Sequence, residues 1–434
     1  MRRVILQPDE RFSGAHLQRT GAFNPQALQA ATKIVEDVRE RGDEALREYT
    51  EKFDGVTVED FRVPAAYIER RAAECDGQLA AALEQAADQI RDFHERQLEQ
   101  SWFTVREDGA LVGAKITPLD SVGIYVPGGR ALYPSTLLMN AIPASVAGVQ
   151  RIVAVTPPAA DGELDPAILK ACQLAGVTEV YSVGGAQAIA ALAYGTAQIQ
   201  RVDKITGPGN AYVAAAKKIV NGDVGIDMIA GPSEVCVVAD ETADPTLVAI
   251  DLMAQAEHDP LATCYLVTFT VDYADRVKAA IDKHMESSTR AEITSASLAD
   301  QGLCVICTDL EQALDVVNAI APEHLELHIA NPMDSLGAIR HAGAIFLGEW
   351  TPEAVGDYVA GPNHTLPTGG TARYSSPLSV EHFVKKSSII QYSEQALMRD
   401  ADIITSIARH EGLWAHAVSV ELRQRRLKDK TDKE

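Results

Sequence analysis

The sequence predicts an α/β protein: two consecutive doubly wound parallel units, with small, mostly helical parts at the N- and C-terminal ends. Three observations lead there. From residue 121 onward, short runs rich in Val and Ile alternate with Ala/Leu-rich stretches of helical spacing, as strands covered by crossover helices do. The alternation comes in two successive sets. The junctions that follow the strands collect Gly, Pro, Asn and His, the composition of ligand loops at the carboxyl ends of parallel strands.

The elements follow in order. The first 120 residues read as mostly helical, with apolar positions at helical spacing over 24–53 and 64–99 and Asn24-Pro25 as cap and first turn. The first strand set is SVGIYVPGG (121–129), RIVAVTPP (151–158), EVYSVGG (179–185) and VDKITGPGN (202–210), with helices starting near Ser135, Pro166, Ala186 and Asn210. The second set is EVCVVAD (234–240), TCYLVTF (263–269), LCVICTD (303–309), LELHIA (325–330) and GAIFLGEW (343–350). Helical stretches at 245–257, 272–286 and 309–320 separate several of these. Each unit is expected to open its ligand crevice at the carboxyl ends of its strands. After the Gly/Pro/Ser-rich loop at 361–377 the chain reads as helical again, especially over 394–427, before a charged tail.

Composition excludes several classes of function. A chain of 434 residues has room for two to four domains. With 46% apolar and 23% charged residues it reads as globular. No run of 18 apolar residues suggests a membrane span, and MRRVILQPDE lacks the apolar core of a signal peptide. A net charge of −22 disfavours nucleic acid and anionic membrane as partners. Of six cysteines, Cys172, Cys236, Cys264 and Cys307 sit in apolar segments, a pattern that fits reduced thiols in a cytoplasmic protein. The pair Cys304 and Cys307 reads as two buried strand residues, not a redox or zinc motif.

The loops carry the chemistry. TGPGNAYVAAAKK holds Gly207 and Gly209, but Tyr212 stands where a dinucleotide fingerprint has its third glycine. With Val126-Pro127-Gly128-Gly129 and Val183-Gly184-Gly185-Ala186-Gln187, three such loops on one sheet edge point to a crevice without naming its ligand. Tight strand–helix turns remain the alternative. Gln255 and His258 stand three residues apart near a helix end, on one face, and can both coordinate a divalent ion. There is no HExxH. Glu323 and His324 are adjacent between a helix and a strand and can divide base and water-activating roles. Asp357 and His364 lie in a Gly/Pro-rich stretch, and Glu411 and His416 in the C-terminal helical part. His16, His94, His284, His341, His382 and His410 read as surface or structural.

In this order, GRALYPSTLLMNAIPA, GPGNAYVAAAKK, VGIDMIAGPSEV, AQAEHDPLA, APEHLEL, GPNHTLPTGGTARYSS and GLWAH closely resemble the histidinol dehydrogenase family, over essentially the whole chain to about Arg423. The resemblance implies two incomplete Rossmann-like domains in a homodimer with shared active sites. It divides the chain into an N-terminal segment (1–22), a zinc/substrate domain (23–120 and 233–372), an NAD-binding domain (121–232) and a C-terminal dimerisation segment (373–434). It implies Zn²⁺ ligands Gln255, His258, Asp357 and His416, the last from the partner subunit. It implies NAD contacts at Tyr125, Gln187 and Asn210, and L-histidinol contacts at Ser233, His324, Glu411 and the metal ligands. By the same resemblance, Glu323 and His324 carry the proton transfers of a four-electron oxidation to L-histidine, the last step of histidine biosynthesis. His364 matches a further active-site position. Three rival readings are a paralogue acting on another hydroxylated substrate such as a sulfopropanediol, a zinc hydrolase, and a non-catalytic binding protein. Ser233-Glu234 with Glu411 and His416 argues against the first, the NAD-matching set against the second, and Glu323 with His324 against the third.

Overall fold

The apolar runs fold as strands because the inner ones, such as Ser121–Tyr125 and Glu234–Ala239, are buried on both faces, and the helices between them cover those faces. In the computed structural model, residues 1–17, 25–128 and 133–431 are described; Asn24 and Gly129, named above in a cap and a loop, lie outside the described residues. Contacts divide the chain into a first unit, Met1–Leu98 with Leu119–Phe383, and a second, Glu99–Pro118 with Val384–Glu434.

The chain opens with β1 (Arg2–Ile5), then helices α1 (Pro25–Arg41), α2 (Asp43–Asp54), α3 (Ala65–Ala72) and α4 (Gly77–Glu95), and strands β2 (Trp102–Val105) and β3 (Leu111–Pro118). The two long helical stretches thus each break once, at Gly42 and at Asp76, whose carboxylate caps α4 by accepting the amides of Gln78 and Leu79. The first alternating series is β4 (Ser121–Tyr125), α5 (Pro134–Ala147), β5 (Arg151–Thr156), α6 (Pro166–Ala175), β6 (Glu179–Ser182), α7 (Gly185–Tyr194), β7 (Lys204–Thr206), α8 (Ala211–Val220) and the short β8 (Gly225–Ile226). Its parallel sheet runs β6-β5-β4-β7-β8. Strand order reverses between β4 and β7, which opens a crevice beyond their carboxyl ends.

The second series is β9 (Glu234–Ala239), α9 (Pro245–Ala256), β10 (Thr263–Thr268), α10 (Val271–Met285), α11 (Ala291–Asp300), β11 (Leu303–Ile306), α12 (Leu310–Ile320), β12 (His324–His328), β13 (Ala344–Leu347) and α13 (Glu353–Tyr358). Its parallel sheet runs β1-β11-β10-β9-β12-β13. The N-terminal segment therefore supplies an edge strand. Val235, Val237 and Ala239 face the α9 side, and Cys236, Val238, Leu325 and Leu327 the α12 side. Cys304 and Cys307 are free and buried, as strand residues should be.

Two organisational expectations change. Residues 25–98 pack on the first sheet, not with the second: Ala31, Ile34 and Val38 of α1 share a core with Ile189 and Val213, and Leu83 and Ile90 of α4 with Leu138 and Ile142. An apolar stripe marks a buried face but not its partner. In the second unit, β14 (Val384–Gln391) joins β3 and β2 in an antiparallel sheet, β14-β3-β2, and α14 (Glu394–His410) and α15 (Trp414–Thr431) form a helical hairpin that turns at Gly412. The two ends of the chain are thus less uniformly helical than their composition predicts. Among the described residues, no helix is long and apolar enough to cross a membrane.

Candidate active site

A pocket of about 550 Å³ lies in the first unit between the crevice of the first sheet and one end of the strands of the second. From the first sheet it is lined by Pro127 and the Gly207–Asn210 loop, and from the second by Ser233, Glu323 and His324. The last three stand at the amino ends of β9 and β12. This corrects the expectation that both units open at their carboxyl ends. The reason is connectivity: the segment after β8 enters β9 at its amino end, and α9 runs back to that same end, delivering Gln255 and His258 there.

Glu323 and His324 are almost fully buried. Glu323 Oε2 accepts the Glu234 amide at 2.9 Å. Burial drives the Glu323 carboxyl well above its usual range, while the Glu234 amide and Ser233 side chain pull it back. His324 Nδ1 lies 3.2 Å from the Glu234 carbonyl oxygen, 3.2 Å from Gln255 Oε1 and 3.9 Å from Glu323 Oε2. Its Nε2 has no protein partner. Burial lowers the imidazole to about 3, so it is neutral near pH 7. With oxygens facing Nδ1, that nitrogen carries the proton, and Nε2 is the free acceptor.

One acidic residue beside them was not foreseen. Glu353, first in α13, lies with Oε1 3.8 Å from His324 Nδ1, and its Oε2 is buried without a partner. The ligand atoms of His258, Glu353 and Asp357 all lie within 4.8 Å of one another. Glu353 and Asp357 are one helical turn apart, and that i,i+4 spacing in TPEAVGDYV was the available signal. Burial raises Asp357 to about 6, and burial with the neighbouring carboxyls raises Glu353 well above its usual value. Burial also lowers His258. His364 Nδ1 sits 2.9 Å from the Asp357 carbonyl oxygen, and burial lowers it to about 4.

Gln255 is fully buried and lines the same pocket, its Nε2 unpartnered. Glu411 and His416 lie on the second unit, exposed at the turn between α14 and α15 and in the first turn of α15.

On the first sheet, Tyr125 ends β4, buried, and its hydroxyl accepts the Gly185 amide at 3.1 Å. Gln187, one turn into α7, is buried with both amide atoms unpartnered, and such atoms in a native interior call for a ligand or water. Asn210 caps α8, accepting the amides of Tyr212 and Val213. Gly207 adopts φ +109°, and a Cβ there would run into the Tyr125 carbonyl. The loop is pinned from behind by Asp227, which accepts the Gly207 amide at 2.8 Å, and by Lys217, which donates to the Gly207 carbonyl at 2.9 Å. Lys217 and Asp227 form a buried ion pair that sequence reasoning did not single out.

The sequence model described as histidinol dehydrogenase matches residues 17–424. The chain is 54% identical over 394 residues to the histidinol dehydrogenase of Bacillus subtilis (strain 168), covering 91% of this chain and 92% of that protein. It is 53% identical over 411 residues to that of Geobacillus kaustophilus (strain HTA426), covering 94% and 97%. Its structure is similar to the crystal structure of histidinol dehydrogenase from Elizabethkingia anophelis, with a TM-score of 0.93, 36% identity and 99% of both chains covered.

Proposed function

The chain belongs to the histidinol dehydrogenase family, and from that premise we propose how its pocket oxidises L-histidinol through the aldehyde to L-histidine with NAD⁺. One observation carries the reading. The buried pair Glu323 and His324 and the cluster of His258, Glu353 and Asp357 line one pocket, facing the switch-point crevice of the first sheet.

The donor set fits a metal ion. Two buried carboxyls, Glu323 and Glu353, and the half-buried Asp357 are all pushed toward the neutral form by desolvation, which a bound cation would reverse. An imidazole, carboxylates and an amide oxygen suit Zn²⁺. Gln255, His258 and Asp357 would hold it, with His416 reaching in from a partner subunit and Glu353 at the edge. When bound, zinc would supply an anchor for the nitrogens of the substrate. Tyr125, Gln187 and Asn210 would hold NAD, which accepts the hydrides.

His324 takes the alcohol proton at Nε2 while its Nδ1–H points to Gln255 and the Glu234 carbonyl. Glu323, fixed by Ser233 and the Glu234 amide, takes a proton from the water that adds to the aldehyde. A base with a raised pKa is suited to that task, and each such transfer contributes about 10²–10⁴-fold. As water adds, His324 returns its Nε2 proton to the carbonyl oxygen, and with Nε2 free again it takes the second proton, from the hydrated aldehyde. Ser233 and the partner's Glu411 orient the substrate, and burial of the pair keeps stray water out.

The test is a single assay with L-histidinol, NAD⁺ and either zinc or a chelator. Two NADH per histidine, lost on chelation and restored by zinc, is the expected result. No NADH from the metal-loaded protein would overturn the reading.

A further inference from the structure

Strand β12 carries a second set of buried polar groups that the chemistry above leaves unused. In His324-Leu325-Glu326-Leu327-His328 the leucines pack on the α12 side, so by strand alternation the three polar side chains share the face toward α9 and α13. All three are buried, Glu326 completely. His328 Nε2 lies 3.3 Å from both Asp251 Oδ2 and Glu326 Oε2. Glu326 Oε1 accepts the backbone amide of Glu353 at 2.9 Å.

These contacts tie together two elements that feed the pocket. Asp251 stands one turn before Gln255 on the same face of α9. Strand and helix are therefore pinned twice, Asp251 to His328 and Gln255 to His324. On the other side, Glu326 fixes the first residue of α13, from which Glu353 and Asp357 project.

We propose that Asp251, Glu326 and His328 are positioning residues that set Gln255 against His324 and fix where Glu353 and Asp357 enter the pocket, and thereby set metal affinity. The inference rests on the metal reading above. A buried ion pair is a weak source of stability but a strong geometric constraint, because moving either partner leaves a charge unmatched. Burial works against a charge on His328, but the facing Asp251 and Glu326 outweigh it and raise the imidazole to about 9. The pairing thus persists at neutral pH with a proton on the imidazole. Groups that orient metal ligands typically change affinity or activity by about 10–100-fold when removed.

The experiment compares wild type with Asp251→Asn, His328→Gln, Glu326→Leu and Glu326→Gln. Each is stripped of metal and titrated with Zn²⁺ against a chromophoric chelator, with kcat, both KM values and the melting temperature recorded. Asp251→Asn, His328→Gln and Glu326→Leu should bind zinc roughly 10-fold or more weakly. Their kcat should fall while the KM for NAD⁺ holds, since the dinucleotide contacts lie on the other sheet. Glu326→Gln, which keeps the acceptor for the Glu353 amide, should recover most of the loss of Glu326→Leu. A variant that fails to melt cooperatively is set aside, and the remaining ones carry the same comparison. Folded variants with unchanged zinc affinity and kcat would overturn the proposal alone, as would a second zinc in the wild type that Asp251→Asn removes. A wild type that binds no zinc would overturn the metal reading and this proposal with it.

Discussion

Glu323 Oε2 is committed to the Glu234 amide, and His324 Nδ1 to two oxygens. The free atom of the histidine is Nε2. This division makes the two residues separable by experiment. Glu323→Gln keeps an acceptor for the Glu234 amide but cannot take a proton from water. The aldehyde-to-acid step should slow by about 10²-fold or more, while the first oxidation changes far less. Single-turnover rates with histidinol and with histidinal measure the two steps, and equal slowing of both would contradict the assignment. Legibility at this scale was uneven. Glu323, His324, Gln255 and His258 stood out because they are adjacent or share a helix face. Glu353 did not, because a carboxyl in a Gly/Pro-rich stretch reads as solvated until the fold buries it. His328 was hidden in an apolar strand, where one polar residue gives no sign of a partner 77 residues earlier in the chain, at Asp251.

Among elements, the inner strands of both sheets were legible because residues such as Val122, Ile124, Val235 and Val237 are buried, and each contributes about 1.5–3 kcal/mol on burial; the edge strands β1 and β8, short and exposed or half-exposed, were not. β14 was not, since VKKSSIIQ is mostly exposed or half-exposed and lacks an unbroken apolar run. The site at the amino ends of the second sheet was equally illegible, because it depends on how the segment after β8 leads from one sheet to the next. The Gly207 loop makes an element-scale prediction. Gly207→Ala must carry a side chain at φ +109° against the Tyr125 carbonyl, a strain of about 1–3 kcal/mol. The KM for NAD⁺ should rise about 10-fold while that for histidinol stays nearly constant; a change confined to histidinol would place the dinucleotide elsewhere. The His328 pKa lies at about 9 in the folded chain against 6.5 unfolded, because Asp251 and Glu326 face it. A raised basic pKa gives stability that is complete below pH 6.5 and is lost as pH rises through about 9. The difference in melting temperature between wild type and His328→Gln should therefore shrink across that window; a difference that grew toward pH 9 would contradict the pairing.

For the whole molecule, the second unit exposes large apolar side chains: Phe103, Val105, Ile390, Ile403, Trp414 and Leu422 are each more than half exposed. Exposed apolar side chains of this size suit an associating surface where they form one patch, and His416 and Glu411 lie on the same unit, themselves exposed. The pocket is lined wholly by the first unit, so a homodimer in which the second unit of one subunit serves the pocket of the other would complete the ligand set. The net charge of −22 opposes such pairing, but at physiological salt charges more than about 8 Å apart are largely screened, which leaves apolar burial to drive it. Shared sites have a distinctive consequence. His324→Ala and His416→Ala should each be nearly inactive as pure proteins, the second also short of zinc. In a dimer of one with the other, one pocket has an intact His324 and receives an intact His416, and its mate has both lesions. Random pairing in equal amounts makes about half the dimers mixed, each with one working site of two, so roughly a quarter of wild-type activity should return after subunit exchange. If each pocket used its own chain's His416, every site in the mixture would keep one lesion and activity would stay at the level of the parents.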